Sequence, residues 1–150
     1  MTHYQLRDIR DTENGLYADL ANAIEDYRVE SIMMLRYREF KKTINANMAC
    51  IKSENLKTVI GSNASSTEVL VMYTRLWMRT FGMKQPFQAE FLQVETEFNK
   101  HFPVSVRKKM ELTLFKALDS ISIECSFNTA KDIISMLEEE DKKTPFFTQI

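Results

Sequence analysis

From Leu16 to Ile60 the chain carries neither glycine nor proline, and its apolar residues fall on two helical stripes that are out of phase. Leu16, Leu20, Ile24, Tyr27, Ser31 and Met34 recur at steps of four, four, three, four and three, the repeat of one helix face. Met33, Tyr37, Phe40, Ile44, Met48 and Ile51 form a second stripe, rotated by roughly a third of a turn at about 100° per residue. Two packing partners are implied. Either the helix bends between residues 31 and 37, or one long helix leaves its first neighbour and packs on a second.

The later segments are each marked off by breakers and each carry one helical pattern. Asn14-Gly15 is a turn before the long segment, and residues from Thr2 to Asp11 could form a short leading helix. A second break is expected before Asn55, where Asn45, Asn47 and Ser53 weaken helix propensity. Gly61 to Ser66 is small and polar, and Ser65 with Glu68 has capping-box spacing. The following segment, Thr67 to Phe81, is apolar almost all round, which predicts a central helix ended by a Gly82 cap.

Pro86 suits the first turn of a further helix, along which Phe87, Phe91, Val94, Phe98 and Phe102 make one stripe. Pro103 stops it. Ser105 is the expected cap of the next helix, whose stripe is Val106, Met110, Leu114, Ala117 and Ile121. Ser120 to Phe127 alternates and could be a short extended piece. Asn128 is the expected cap of a last helix through Ala130, Ile133, Ile134 and Leu137, followed by an apolar tail over residues 142–150 that includes Phe146, Phe147 and Ile150.

Composition agrees with this pattern. Three glycines and three prolines in 150 residues are too few for a strand-and-turn fold, and 44% apolar residues are enough for one core. The expectation is an all-α fold: a single-domain helical bundle of about six helices over residues 1–150, with one long N-terminal helix, straight or kinked. Cys50 and Cys125 stand alone and read as reduced core thiols. No apolar run of about 18 residues and no signal-peptide pattern occurs, so a cytoplasmic or nuclear location is expected and a membrane is not among the expected partners.

Charge adds the one strong surface feature. Residues 1–27 carry two basic and six acidic side chains, 28–116 carry fifteen and eight, and 117–150 carry three and seven, so nets of −4, +7 and −4 sum to −1. Arg38, Lys41, Lys42 and Lys52 share a face opposite the second stripe, and Lys108 and Lys109 lie on a later helix. If these faces adjoin, they form a patch for an anionic partner. The alternative is mutual neutralisation of the basic middle and acidic ends, within the fold or across a dimer.

Little in the chain points to catalysis. Glu97 and His101 have metal-compatible spacing but no second ligand pair, and Ser105 with Lys108 lacks the further motifs of serine-lysine acyl enzymes. Glu90, Glu95 and Glu97 would need a pocket to become an acid and a base, and there is no glycine-rich phosphate loop. No catalytic residue, metal site or cofactor is expected. The expected function is a non-enzymatic helical protein-interaction module, an adaptor, inhibitor or assembly factor whose partner is another protein. A homodimer is expected from the surplus of apolar faces, and the nine methionines suit adaptable contacts. The alternative is a nucleic-acid-binding protein using the basic middle region for phosphate contacts.

Overall fold

A computed structural model describes residues 15–47, 50 and 64–143. Among these residues there are six α-helices and no strand: α1 (Gly15–Arg36), α2 (Arg38–Ala46), α3 (Ser66–Trp77), α4 (Gln88–His101), α5 (Val104–Ala117) and α6 (Ile123–Lys143). A five-residue π segment, Met78–Gly82, continues α3. The chain is therefore the all-α helical bundle that its periodicity predicts. The expected leading helix, the break before Asn55, the end of the second stripe and the apolar side chains of the tail lie outside the described residues. Lys142 and Lys143, expected in that tail, belong to α6.

The predicted change of partner between residues 31 and 37 takes the form of a break. Tyr37 leaves the helical region with φ −126° and ψ 106°, and separates α1 from α2. The first stripe does face the core, where Leu16, Leu20 and Ile24 are buried. The second does not: α2 buries none of its residues.

Helix α3 is the centre. Its Ser65 cap accepts the Glu68 N–H at 3.2 Å, while the Ser65 hydroxyl donates to the Glu68 carboxylate at 3.1 Å, so the predicted start is made by local hydrogen bonds. Val69, Leu70, Met72, Tyr73, Leu76 and Trp77 are all buried, because α3 packs on α1 and also on α4. Helix α1 packs in turn on α6, and α6 on α5. The phenylalanine stripe of α4 is core throughout, with Phe87, Phe91, Phe98 and Phe102 buried and Tyr73 stacked on Phe98 at 4.3 Å between ring centroids.

Several boundaries differ from the expectation. Gly82 closes the π segment, whose N–H of Met83 reaches back five residues to the Met78 carbonyl at 2.9 Å, and the left-handed residue beyond it is Lys84 at φ 59°. Gly82 is small for another reason: a Cβ there would stand 2.6 Å from Tyr27 Cε1 and 2.9 Å from Leu118 Cδ2. Helix α5 begins at Val104 behind Pro103, so Ser105 lies inside the first turn and its hydroxyl donates to Glu140 at 3.4 Å. Helix α6 begins at Ile123, one and a half turns before Asn128 (five residues at 3.6 per turn), with the Ser122 hydroxyl accepting the Cys125 N–H at 3.3 Å. The extended piece expected over Ser120 to Phe127 is therefore mostly helix, and Ile121, expected on the buried stripe of α5, is 85% exposed. Neither cysteine is in the core: Cys50 is exposed and Cys125 half-buried, both as free thiols.

Candidate interaction surfaces

The basic residues singled out from the sequence are set apart by the fold. Arg38, Lys41 and Lys42 are exposed on α2, which follows α1 across the break, whereas Lys108 and Lys109 are on α5, which packs on α6. Lys52 lies outside the described residues. Lys109 is not a free cation, because its ammonium donates to the Glu140 carboxylate. That carboxylate is 7% exposed and also receives the Ser105 hydroxyl, with Lys143 3.9 Å away. The Lys109 hydrogen bond holds the Glu140 carboxyl below the usual range, a response to an internal partner that links α5 to α6.

Two further ion pairs join elements, while others among the described residues lie within one helix. Arg79 in the π segment donates to Gln85 Oε1 at 3.1 Å and to Glu30 of α1 at 3.4 Å, and its guanidinium lies 5.9 Å from the centre of the Phe87 ring. Arg107 of α5 reaches Glu95 of α4 at 3.8 Å. His101 Nδ1 is 2.8 Å from the Ser66 hydroxyl, and Glu97 pairs with Lys100 at 3.0 Å, so the two residues with metal-compatible spacing are engaged separately. No group of three potential metal ligands occurs among the described residues. Trp77, the best base-stacking side chain, is buried.

Among the described residues, exposed apolar side chains gather at two places along the chain. The first is the corner where α5 ends and α6 begins. Leu112 and Phe115, three apart on one face of α5, are 65% and 67% exposed, and Ile121 and Ile123 in the connection and first turn of α6 are exposed as well. Beside them is a cleft of about 450 Å³ walled by Thr113, Lys116 and Asp119 and, from α6, Cys125, Asn128 and Asp132. The Ser122 hydroxyl donates to the Cys125 sulfur at 3.4 Å and pulls its thiol below the ordinary value. Apolar side chains beside a polar cleft provide the mixture found at protein interfaces, an anchoring patch with hydrogen-bonding groups next to it. Sequence reasoning passed over Leu112 and Phe115. The signal was available, since both lie off the Val106–Met110–Leu114 stripe that α5 buries.

The second surface is the elbow between α1 and α2. Val29, Ile32 and Leu35 are exposed near the end of α1, Tyr37 is exposed at the break, and Phe40 and Ile44 are half-buried on α2. Inside α2 the polar groups are satisfied, with the Thr43 hydroxyl donating to the Glu39 carbonyl and the Asn47 amide donating to the Thr43 carbonyl, both at 2.9 Å.

No known protein family, curated protein or solved structure matches this chain.

Proposed function

We propose that the chain is a non-enzymatic helical protein-interaction module that works in the cytoplasm or nucleus as an adaptor, inhibitor or assembly factor. The observation that supports this reading is the α5–α6 corner, where Leu112, Phe115, Ile121 and Ile123 are exposed together beside a polar cleft. Burying a leucine or phenylalanine side chain in a partner contributes about 1.5–3 kcal/mol each, so these side chains suit the anchoring positions of a larger interface. A second copy of the chain is one such partner, which makes a homodimer part of the proposal.

The test is direct. Leu112→Ser with Phe115→Ser should abolish retention of a protein partner, subsequently purified and titrated against the wild-type chain, while leaving the thermal midpoint unchanged. Sedimentation of the wild type should give a mass above one chain at micromolar concentration, falling to one chain in the variant. A single-chain mass together with unimpaired partner binding by the variant would overturn the reading.

Nucleic-acid binding is the second reading, and it rests on the exposed cations of α2. The engagement of Lys109 by Glu140 and the burial of Trp77 weigh against it. Binding of labelled single- or double-stranded nucleic acid that weakens steeply with salt, and is lost on Lys41→Glu with Lys42→Glu, would put it first.

A further inference from the structure

The α1–α2 elbow carries apolar and cationic side chains in an arrangement that the bundle itself does not use. Phe40 and Ile44 lie on one side of α2 four residues apart, Tyr37 stands at the break before it, and no residue of that helix is buried. Leu35 is 88% exposed and Tyr37 53%, with Val29 and Ile32 exposed on the preceding turns. Cations surround this stripe. Lys41 lies beside Phe40 and Arg38 and Lys42 occupy the face behind, while Arg36 ends α1 just before the break. Arg36, Arg38 and Lys41 have no ion pair among the described residues, and the only acidic side chain of α2, Glu39, is in an exposed contact with Lys42 at 3.5 Å. Four cations against one carboxylate around exposed Leu35 and Tyr37 and half-buried Phe40 and Ile44 call for an anionic partner that also accepts apolar side chains.

We propose that the elbow docks on an anionic lipid surface, with α2 lying in the headgroup layer. A helix that lies on a membrane is a different object from one that crosses it, and no helix among the described residues is long and apolar enough to cross. The interfacial type needs a strong apolar-to-charged division around the helix and long basic side chains beside the apolar face, as Lys41 is here. Their alkyl stems cover the edge of the apolar stripe while their charged heads reach phosphates. A nucleic acid offers the charge but no apolar layer for Leu35, Tyr37 and Phe40. This inference concerns a different surface from the α5–α6 corner and stands independently of it.

The test is co-sedimentation of the full chain with vesicles of phosphatidylcholine alone and of phosphatidylcholine containing one third phosphatidylserine. The expected result is binding to the serine-containing vesicles only, weakening as salt is added. Arg36→Gln with Lys41→Gln should lower the partition constant about thirtyfold, the factor that two cations near an anionic surface represent. Phe40→Ser with Ile44→Ser should lower it by a comparable factor, and because both are only half-buried and no residue of α2 is fully buried, neither variant should lose helical circular dichroism. Absence of binding to serine-containing vesicles overturns the proposal, as does equal binding to the neutral ones. Binding that ignores Phe40→Ser with Ile44→Ser overturns it too, since charge alone would then hold the protein. A purified acidic protein that binds the elbow of a chain the vesicles do not retain would assign the surface to that protein instead.

Discussion

Replacing Tyr73 by phenylalanine is expected to stabilise the protein, although Tyr73 is at the centre of the core. Its side chain is fully buried in the middle of α3, with the ring stacked on Phe98 at 4.3 Å and tilted against Phe91 at 5.3 Å. The hydroxyl has no hydrogen-bond partner, and burial pushes the phenol well above its ordinary value of 10.0. A buried hydroxyl that has lost water and gained nothing costs about 1–3 kcal/mol. Phenylalanine keeps the two ring contacts and deletes that cost, leaving a void of about one oxygen atom that takes back a few tenths of a kcal/mol at about 24 cal/mol per Å³. The net gain is about 1 kcal/mol, which for a chain of this length raises the thermal midpoint by roughly 2–4 °C. Urea unfolding of wild type and Y73F at neutral pH would measure it, with equal slopes required for the comparison. The companion Tyr73→Ala should lose about 3–5 kcal/mol, because it removes the ring as well. A loss of about 1 kcal/mol or more in Y73F would refute the reasoning, showing that the hydroxyl is satisfied by a buried water or a rearranged neighbour.

Three other substitutions probe the fold. Gly82→Ala places a methyl group against Tyr27 and Leu118, and should destabilise by about 1–3 kcal/mol in the same urea assay, since neither ring nor isobutyl group can withdraw freely. Ser65→Ala removes the acceptor of the Glu68 N–H and should cost about 1 kcal/mol, which Ser65→Asp should restore. Glu140 has a folded-state pKa below its ordinary value of 4.5, so its contribution is complete above that value and disappears as pH falls through the lowered one. Unfolding midpoints measured from neutral pH downward should therefore fall less steeply in Glu140→Gln than in the wild type, and identical slopes would remove Glu140 from the account of acid sensitivity.

What the sequence disclosed is what steps of three and four residues encode. The phenylalanines of α4 repeat at the spacing of one helix face, which the core covers, and the Ser65–Glu68 pair is a contact within one helical turn. The phase change between the two stripes marked residues 31 to 37 as either a bend or a change of neighbour, and of the two it is a break at Tyr37 that occurs. The start of α6 was not legible, since Ser122 and Asn128 are both good caps and only the seating of Ala130 and Ile133 against the core decides between them. Lys109 and Glu140 are far apart in the chain, so nothing local announces that a residue assigned to a cationic patch is held by an internal carboxylate. The stripe of α2 repeats as regularly as a buried one, and spacing cannot say whether a face finds a neighbour.

The π segment at Met78–Gly82 also fixes the chain length at that point. A π turn closes its hydrogen bond over five residues where an α-helix uses four, so it amounts to one residue inserted into a helix, and everything after it is advanced by one position. Deleting Thr80 while the π turn is kept would bring Met83 opposite Tyr27 and Leu118, where a Cβ has no room, so the chain tolerates the loss only by giving up the turn itself. Length at this turn is therefore a constraint of its own, separate from composition: an insertion or deletion there is penalised even when every side chain it brings is as apolar as the one displaced.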